Sequence, residues 1–82
     1  MIGLWSMAVV EVVITLNEQI DEIKRELKQR ERVYPRLVAQ GKLRQAIAEY
    51  QMARMQAVLA TVERVKRLDT AILAATEQRT VQ

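Results

Sequence analysis

Four basic side chains, Arg25, Lys28, Arg32 and Arg36, recur at steps of three and four along a stretch that reads as helix. That spacing places them on one face. Lys42 and Arg44 follow just beyond a segment that holds the only proline, Pro35, and one of the two glycines, Gly41. A ridge of this kind could track phosphates, with salt-sensitive and mostly sequence-independent binding to nucleic acid. It could instead meet an acidic protein surface, where tyrosine and arginine are the residue types that most often anchor contacts. The plainer reading is a solvated helix face in which Asp21 with Arg25, and Glu26 with Arg30, form i,i+4 acid–base pairs. Tyr34 also fits a seam position that closes a hairpin while its hydroxyl stays wet. The two roles are compatible, so the residues expected to bind a partner are Arg25, Lys28, Arg32, Tyr34, Arg36, Lys42 and Arg44.

Other chemistry has little to work with. The 82 residues contain no histidine and no cysteine. The commonest general base, thiolate ligands and a disulfide framework are therefore excluded. No Gly-rich phosphate loop or nucleophile elbow is present. Glu18 with Glu22, and Glu22 with Glu26, lie one turn apart and could hold a hard cation weakly, but metal sites usually need more ligands than that. The expectation is a non-enzymatic chain with no catalytic residue, metal or cofactor.

Charge is unevenly distributed although the net value is only +3. From residue 11 to 22 the acids Glu11, Glu18, Asp21 and Glu22 are unopposed. From 24 to 44, eight bases face only Glu26 and Glu31. An asymmetry of this kind fits an anionic partner as well as a solvated face.

These residues need elements to hold them. Thr15 followed by Glu18 has the capping-box spacing, which predicts a helix start at Thr15 with acids near its positive end. Leu16, Ile20, Ile23, Leu27, Arg30 and Tyr34 then alternate in steps of four and three, a narrow coiled-coil seam. Arg30 is the exception on it, placed to lay its stem across a neighbour or to pair with an acid on another helix. Pro35 predicts either a kink that the helix survives or a fresh start, and Gly41 a left-handed cap. From Leu43 the chain is alanine-rich and unbroken. Its apolar stripe is expected to pass through Ile47, Tyr50, Met55, Val58, Val62, Val65, Leu68, Ile72 and Ala75, broadened by Met52, Leu59 and Leu73.

The predicted fold is all-α: one domain over 1–82, an antiparallel helical hairpin of about 15–40 and 44–78 with an overhanging second helix. Residues 1–14, rich in β-branched side chains from 8 to 14, are expected to be extended or strand-like, and 79–82 to fray. Two helices cannot cover both sides of their own stripes. Homodimerisation into a four-helix or coiled-coil bundle is the simplest solution, with Leu16, Ile20, Ile23, Leu27, Met55, Val58, Val62, Val65, Leu68 and Ile72 in the oligomer core. The other solution is a hetero-complex in which a different protein supplies the second half.

The apolar start, MIGLWSMAVVEVVITL, lacks a basic n-region, is interrupted by Glu11 and is shorter than the roughly 20 residues that span a bilayer. It predicts neither export nor a transmembrane helix, hence a cytoplasmic protein. Contact with a membrane surface through Ile2, Leu4 and Trp5 is a lesser reading.

The segment RERVYPRLVAQGKL and the spacing after it resemble a group of small uncharacterised proteins of tailed bacteriophages and prophages of proteobacteria. Their pattern is roughly R-x-x-VYPR-(W/L)-V-x-x-G-(K/R)-(L/M), then a small polar residue, QA, and later M-x-A-(I/V). Here Arg30, Val33, Tyr34, Pro35, Arg36, Val38, Gly41, Lys42, Leu43, Gln45, Ala46, Met55, Ala57 and Val58 match, within a likeness that covers about residues 15 to 65. Two positions depart: Arg44 stands where Ser or Thr would cap the second helix, and Leu37 where an aromatic is common. The resemblance implies a phage accessory protein, working in the host cytoplasm, of the kind that binds, modulates or inhibits host machinery. A nucleic-acid-binding dimer and a structural or assembly spacer are the alternatives.

Overall fold

The computed structural model describes residues 13–81, with side chains as far as Glu77. Its regular structure over that range is two helices: α1 spans Leu16–Ala39 and α2 spans Gln45–Val81. The expectation of extended structure at the N-terminus falls mostly outside the described residues; Val13–Thr15 are non-helical. No described helix is long and apolar enough to cross a membrane.

α1 begins where its capping chemistry dictates. The Glu18 backbone N–H donates to the Thr15 hydroxyl at 3.1 Å, and the Thr15 N–H donates to the Glu18 carboxylate at 2.9 Å. Two of the unpaired donors at the helix start are satisfied reciprocally. Pro35 lies inside α1 and the helix carries through to Ala39, so of the two alternatives open at Pro35 the continuous one is realised. The proline lacks an N–H, and the carbonyl of Glu31 loses its helical donor there.

Gly41 ends the helix with φ +72°. The Lys42 N–H donates to the Leu37 carbonyl at 2.9 Å and the Gly41 N–H to the Val38 carbonyl at 3.0 Å. This crossed pair is a Schellman motif, with glycine at the position that needs a left-handed backbone. Four residues later α2 starts at Gln45. Arg44 precedes it and offers no side-chain acceptor, in place of the Ser or Thr that would cap the helix. α2 continues to Val81, three residues beyond the expected end, with no glycine or proline in its path.

The α1 seam is as predicted from its spacing. Leu16, Ile23, Leu27, Arg30 and Tyr34 are half-buried and Ile20 is 7 % exposed. The α2 face that meets it is not the predicted stripe. Ala48, at 5 % exposure, is buried, and Met52, Met55, Leu59 and Val62 are half-buried, whereas Ile47, Tyr50, Val58, Val65, Leu68 and Ile72 stay exposed. Met55 and Val62 are shared by both stripes, as are Met52 and Leu59 from the broadened edge of the predicted one; Ile47, Tyr50, Val58, Val65, Leu68 and Ile72 are turned roughly a third of a revolution away, at about 100° per residue. Ala48 explains the choice near the turn. A five-residue connection forces the helices close together there, and the smallest apolar side chain permits the approach.

Arg30 is the polar member of the seam, and its role is specific. Its Nη1 donates to the backbone carbonyl of Gln51 on α2 at 2.9 Å, Nη2 lies 3.8 Å from Glu26, and the guanidinium sits 5.9 Å from the Tyr34 ring centroid. Its partner across the hairpin is thus a main-chain oxygen, not an acid. The side chain is only one-fifth exposed, which lets the charge-assisted bond count for more than a surface ion pair would.

Two stability predictions follow from these contacts. Gly41→Ala should lower the free energy of unfolding by about 1 kcal/mol, from positive φ alone, because an added Cβ at Gly41 meets nothing within 4 Å. Gly41→Asn should lose less, since asparagine tolerates that conformation. Arg30→Ala should cost about 2 kcal/mol through the lost bond and stem packing. Arg30→Met, which keeps the stem, should cost clearly less. Urea titration at fixed chain concentration reads both; an Arg30→Met variant as stable as the parent chain would show that the Gln51 bond contributes nothing beyond stem packing.

Candidate interaction surface

The basic ridge is carried by α1 on the side opposite its seam. Arg25, Lys28, Arg32 and Arg36 are all exposed, and Lys42 and Arg44 are exposed in the turn. Rotation by about 100° per residue puts the four ridge residues within one sector of the helix, pointing away from α2. Arg25 pairs with Glu22 at 3.2 Å, one turn back, in place of the expected Asp21. Among the described residues no carboxylate lies within ion-pair distance of Lys28, Arg32, Arg36, Lys42 or Arg44. Arg25, Lys28 and Arg32 share a shallow depression with Gln29 and Glu31.

Tyr34 is set apart from this ridge. It is half-buried, capped on its face by Arg30, and lines a cleft of about 490 Å³ between the helices beside the turn. Pro35, Val38, Ala48 and Met52 form the apolar walls of that cleft, with Glu31, Gln45, Glu49 and Gln56 at its polar edges. The seven residues expected to bind a partner therefore separate into an outer ridge, a basic turn, and one aromatic wall of a cleft. Glu31 lines both the cleft and the depression on the ridge, and so connects the two.

The residues expected in an oligomer core also separate. Leu16, Ile20, Ile23, Leu27, Met55 and Val62 lie on the faces that α1 and α2 present to one another, while Val58, Val65, Leu68 and Ile72 lie on exposed surface of α2. Beyond Glu63 every described side chain of α2 is exposed, to Glu77. A second groove, between Ile14 and Ile23 on one side and Val58 and Val62 on the other, runs alongside this exposed stripe.

One further contact lies on α2. Arg54 places its guanidinium 5.5 Å from the Tyr50 ring centroid, on the exposed side of α2. The i,i+4 spacing of an aromatic and an arginine was available as a clue, since residues one turn apart are neighbours on a helix surface. Among the described residues no group of three or more carboxylates comes together as a metal site would require.

The described residues thus present a cationic outer face, an apolar stripe and an open cleft at the turn. No protein-family model matches this chain, and neither a curated protein nor a solved structure matches it.

Proposed function

We propose that the chain works by binding rather than catalysis: a helical hairpin that self-associates through α2 and uses the ridge of α1 to hold an acidic protein. In the context its resemblance implies, that partner is a bacterial host protein whose activity is modulated. The observation that carries the reading is the run of exposed cations at Lys28, Arg32, Arg36, Lys42 and Arg44 on a side that α2 leaves open. Self-association is supported by the scarcity of core, because Ile20 and Ala48 are the only buried apolar residues among those described. A chain of this length with so little interior generally needs a partner.

The same ridge also fits a nucleic-acid backbone, which is the second reading. The acids favour a protein. Glu22 holds Arg25 at 3.2 Å, and Glu31 borders the depression shared by Arg25, Lys28 and Arg32. A polyanion gains nothing from carboxylates set among its contacts, whereas a protein surface with both signs of charge can match them.

Capture on the tagged chain from bacterial lysate, with and without nuclease, tests this when run beside the double variant Arg32→Ala/Arg36→Ala. The expected result is one dominant protein that survives nuclease and is lost in the double variant. Material that vanishes with nuclease, and whose binding falls steeply as salt rises, would assign the ridge to nucleic acid. Capture that the double variant leaves unchanged would remove the ridge from the account and favour a structural or spacer role.

A further inference from the structure

On the exposed side of α2, Val58, Thr61, Val65, Leu68, Ile72 and Ala75 are separated by alternating steps of three and four. That is the a/d spacing of a two-stranded coiled coil, with Val58, Val65 and Ile72 at a and Thr61, Leu68 and Ala75 at d. Leu68 is 57 % exposed and Ile72 63 % exposed, on a side of α2 turned away from the face that packs on α1. We infer that residues 58–75 pair in parallel and in register with the same segment of a second copy of this chain. The inference rests on the self-association proposed above and adds its direction and register.

Three features point to a second copy in this orientation. β-branched residues at every a position of the segment, with leucine at the central d, are the combination that favours two parallel strands. Charge agrees. Arg64 occupies g and Asp69 occupies e, five residues on. In a parallel in-register pair, a g side chain faces the e side chain of the partner's next heptad, so each Arg64 meets an Asp69, twice by symmetry. An antiparallel pair sets g against g and e against e. Stacking Val65 on Thr61 in that way opposes Arg64 to itself, and stacking Val65 on Leu68 leaves Asp69 against Val62. Finally, the pairing has a boundary. One step before Val58 the d position is Arg54, whose guanidinium is drawn off toward the Tyr50 ring at 5.5 Å. Two arginines facing one another across the seam would end it there.

The arrangement has a consequence for binding. Parallel α2 helices place both turns, and with them both basic ridges, at one end of the dimer. A partner that offers two acidic sites, or is itself two-fold symmetric, would engage both ridges at once and gain from effective concentration.

The chain has no cysteine, so single-cysteine variants report the geometry without background. Full-length Thr61→Cys and Ala75→Cys, both small residues at d, are oxidised separately in glutathione buffer, and the mass of the unmodified chain is measured by light scattering. The expected result is a two-chain mass and a self-disulfide at both positions. Effective concentrations should be at least about tenfold above those of the same variants in urea. A two-chain mass with a disulfide at neither or only one position would overturn the parallel register and leave self-association standing. A single-chain mass would overturn both, and would leave the stripe to be covered by other residues of the same chain or by another protein. Charge reversal provides a second readout. Asp69→Arg should weaken dimerisation about tenfold with helicity unchanged, and adding Arg64→Glu should recover most of the loss; no recovery would overturn the Arg64–Asp69 pairing.

Discussion

α2 carries apolar side chains on two neighbouring faces, and α1 is wide enough and long enough to cover only one of them. Ala48, Met52, Met55, Leu59 and Val62 meet the first helix, while Val58, Val65, Leu68 and Ile72 remain against solvent. Exposed apolar surface has a free-energy cost of roughly 25 cal/mol per Å² relative to burial. The rest of the molecule follows from that imbalance. The hairpin holds its own two helices in register and leaves the second stripe of α2 open. The basic face of α1 points away from both.

The turn is where register is set. A Schellman motif around Gly41 ends α1 at a defined residue, and the short connection brings Ala48 under the C-terminal end of α1. The Arg30 bond to the Gln51 carbonyl then fixes the helices along their axes at a second point. A main-chain oxygen is a useful partner for this purpose, because its position depends on the α2 helix itself and not on a side-chain rotamer. Glu26 and the Tyr34 ring hold the guanidinium from its own helix, so the arginine is partly organised before the hairpin closes. Pro35 costs α1 one hydrogen bond, on a side where the Glu31 side chain is exposed to water.

Much of this was legible in the sequence, and the exceptions have physical causes. The Thr15–Glu18 cap, the α1 seam from Leu16 to Tyr34 and the left-handed Gly41 are set by local chemistry, which needs no knowledge of the partner helix. The rotation of α2 was not legible. Its apolar residues cover two adjacent stripes that share Met52, Met55, Leu59 and Val62, so periodicity alone does not choose between them, and the decision depends on how closely the turn brings the helices together. The partner of Arg30 was hidden for a related reason: a backbone carbonyl has no sequence signature. Of the interaction surface, the one-sided run of bases was legible from spacing. The separation of Tyr34 from that run, as one wall of a cleft, required the packed hairpin.

In the proposed assembly the exposed stripe of α2 is covered in solution by a second chain. Thermal unfolding followed by circular dichroism, over about a hundredfold range of chain concentration, addresses it most directly, because a partner that binds only the folded state raises the midpoint by mass action. With a second chain on the stripe, the Tm climbs by several degrees across that range, in one cooperative transition. A midpoint that stays fixed at every concentration would contradict it.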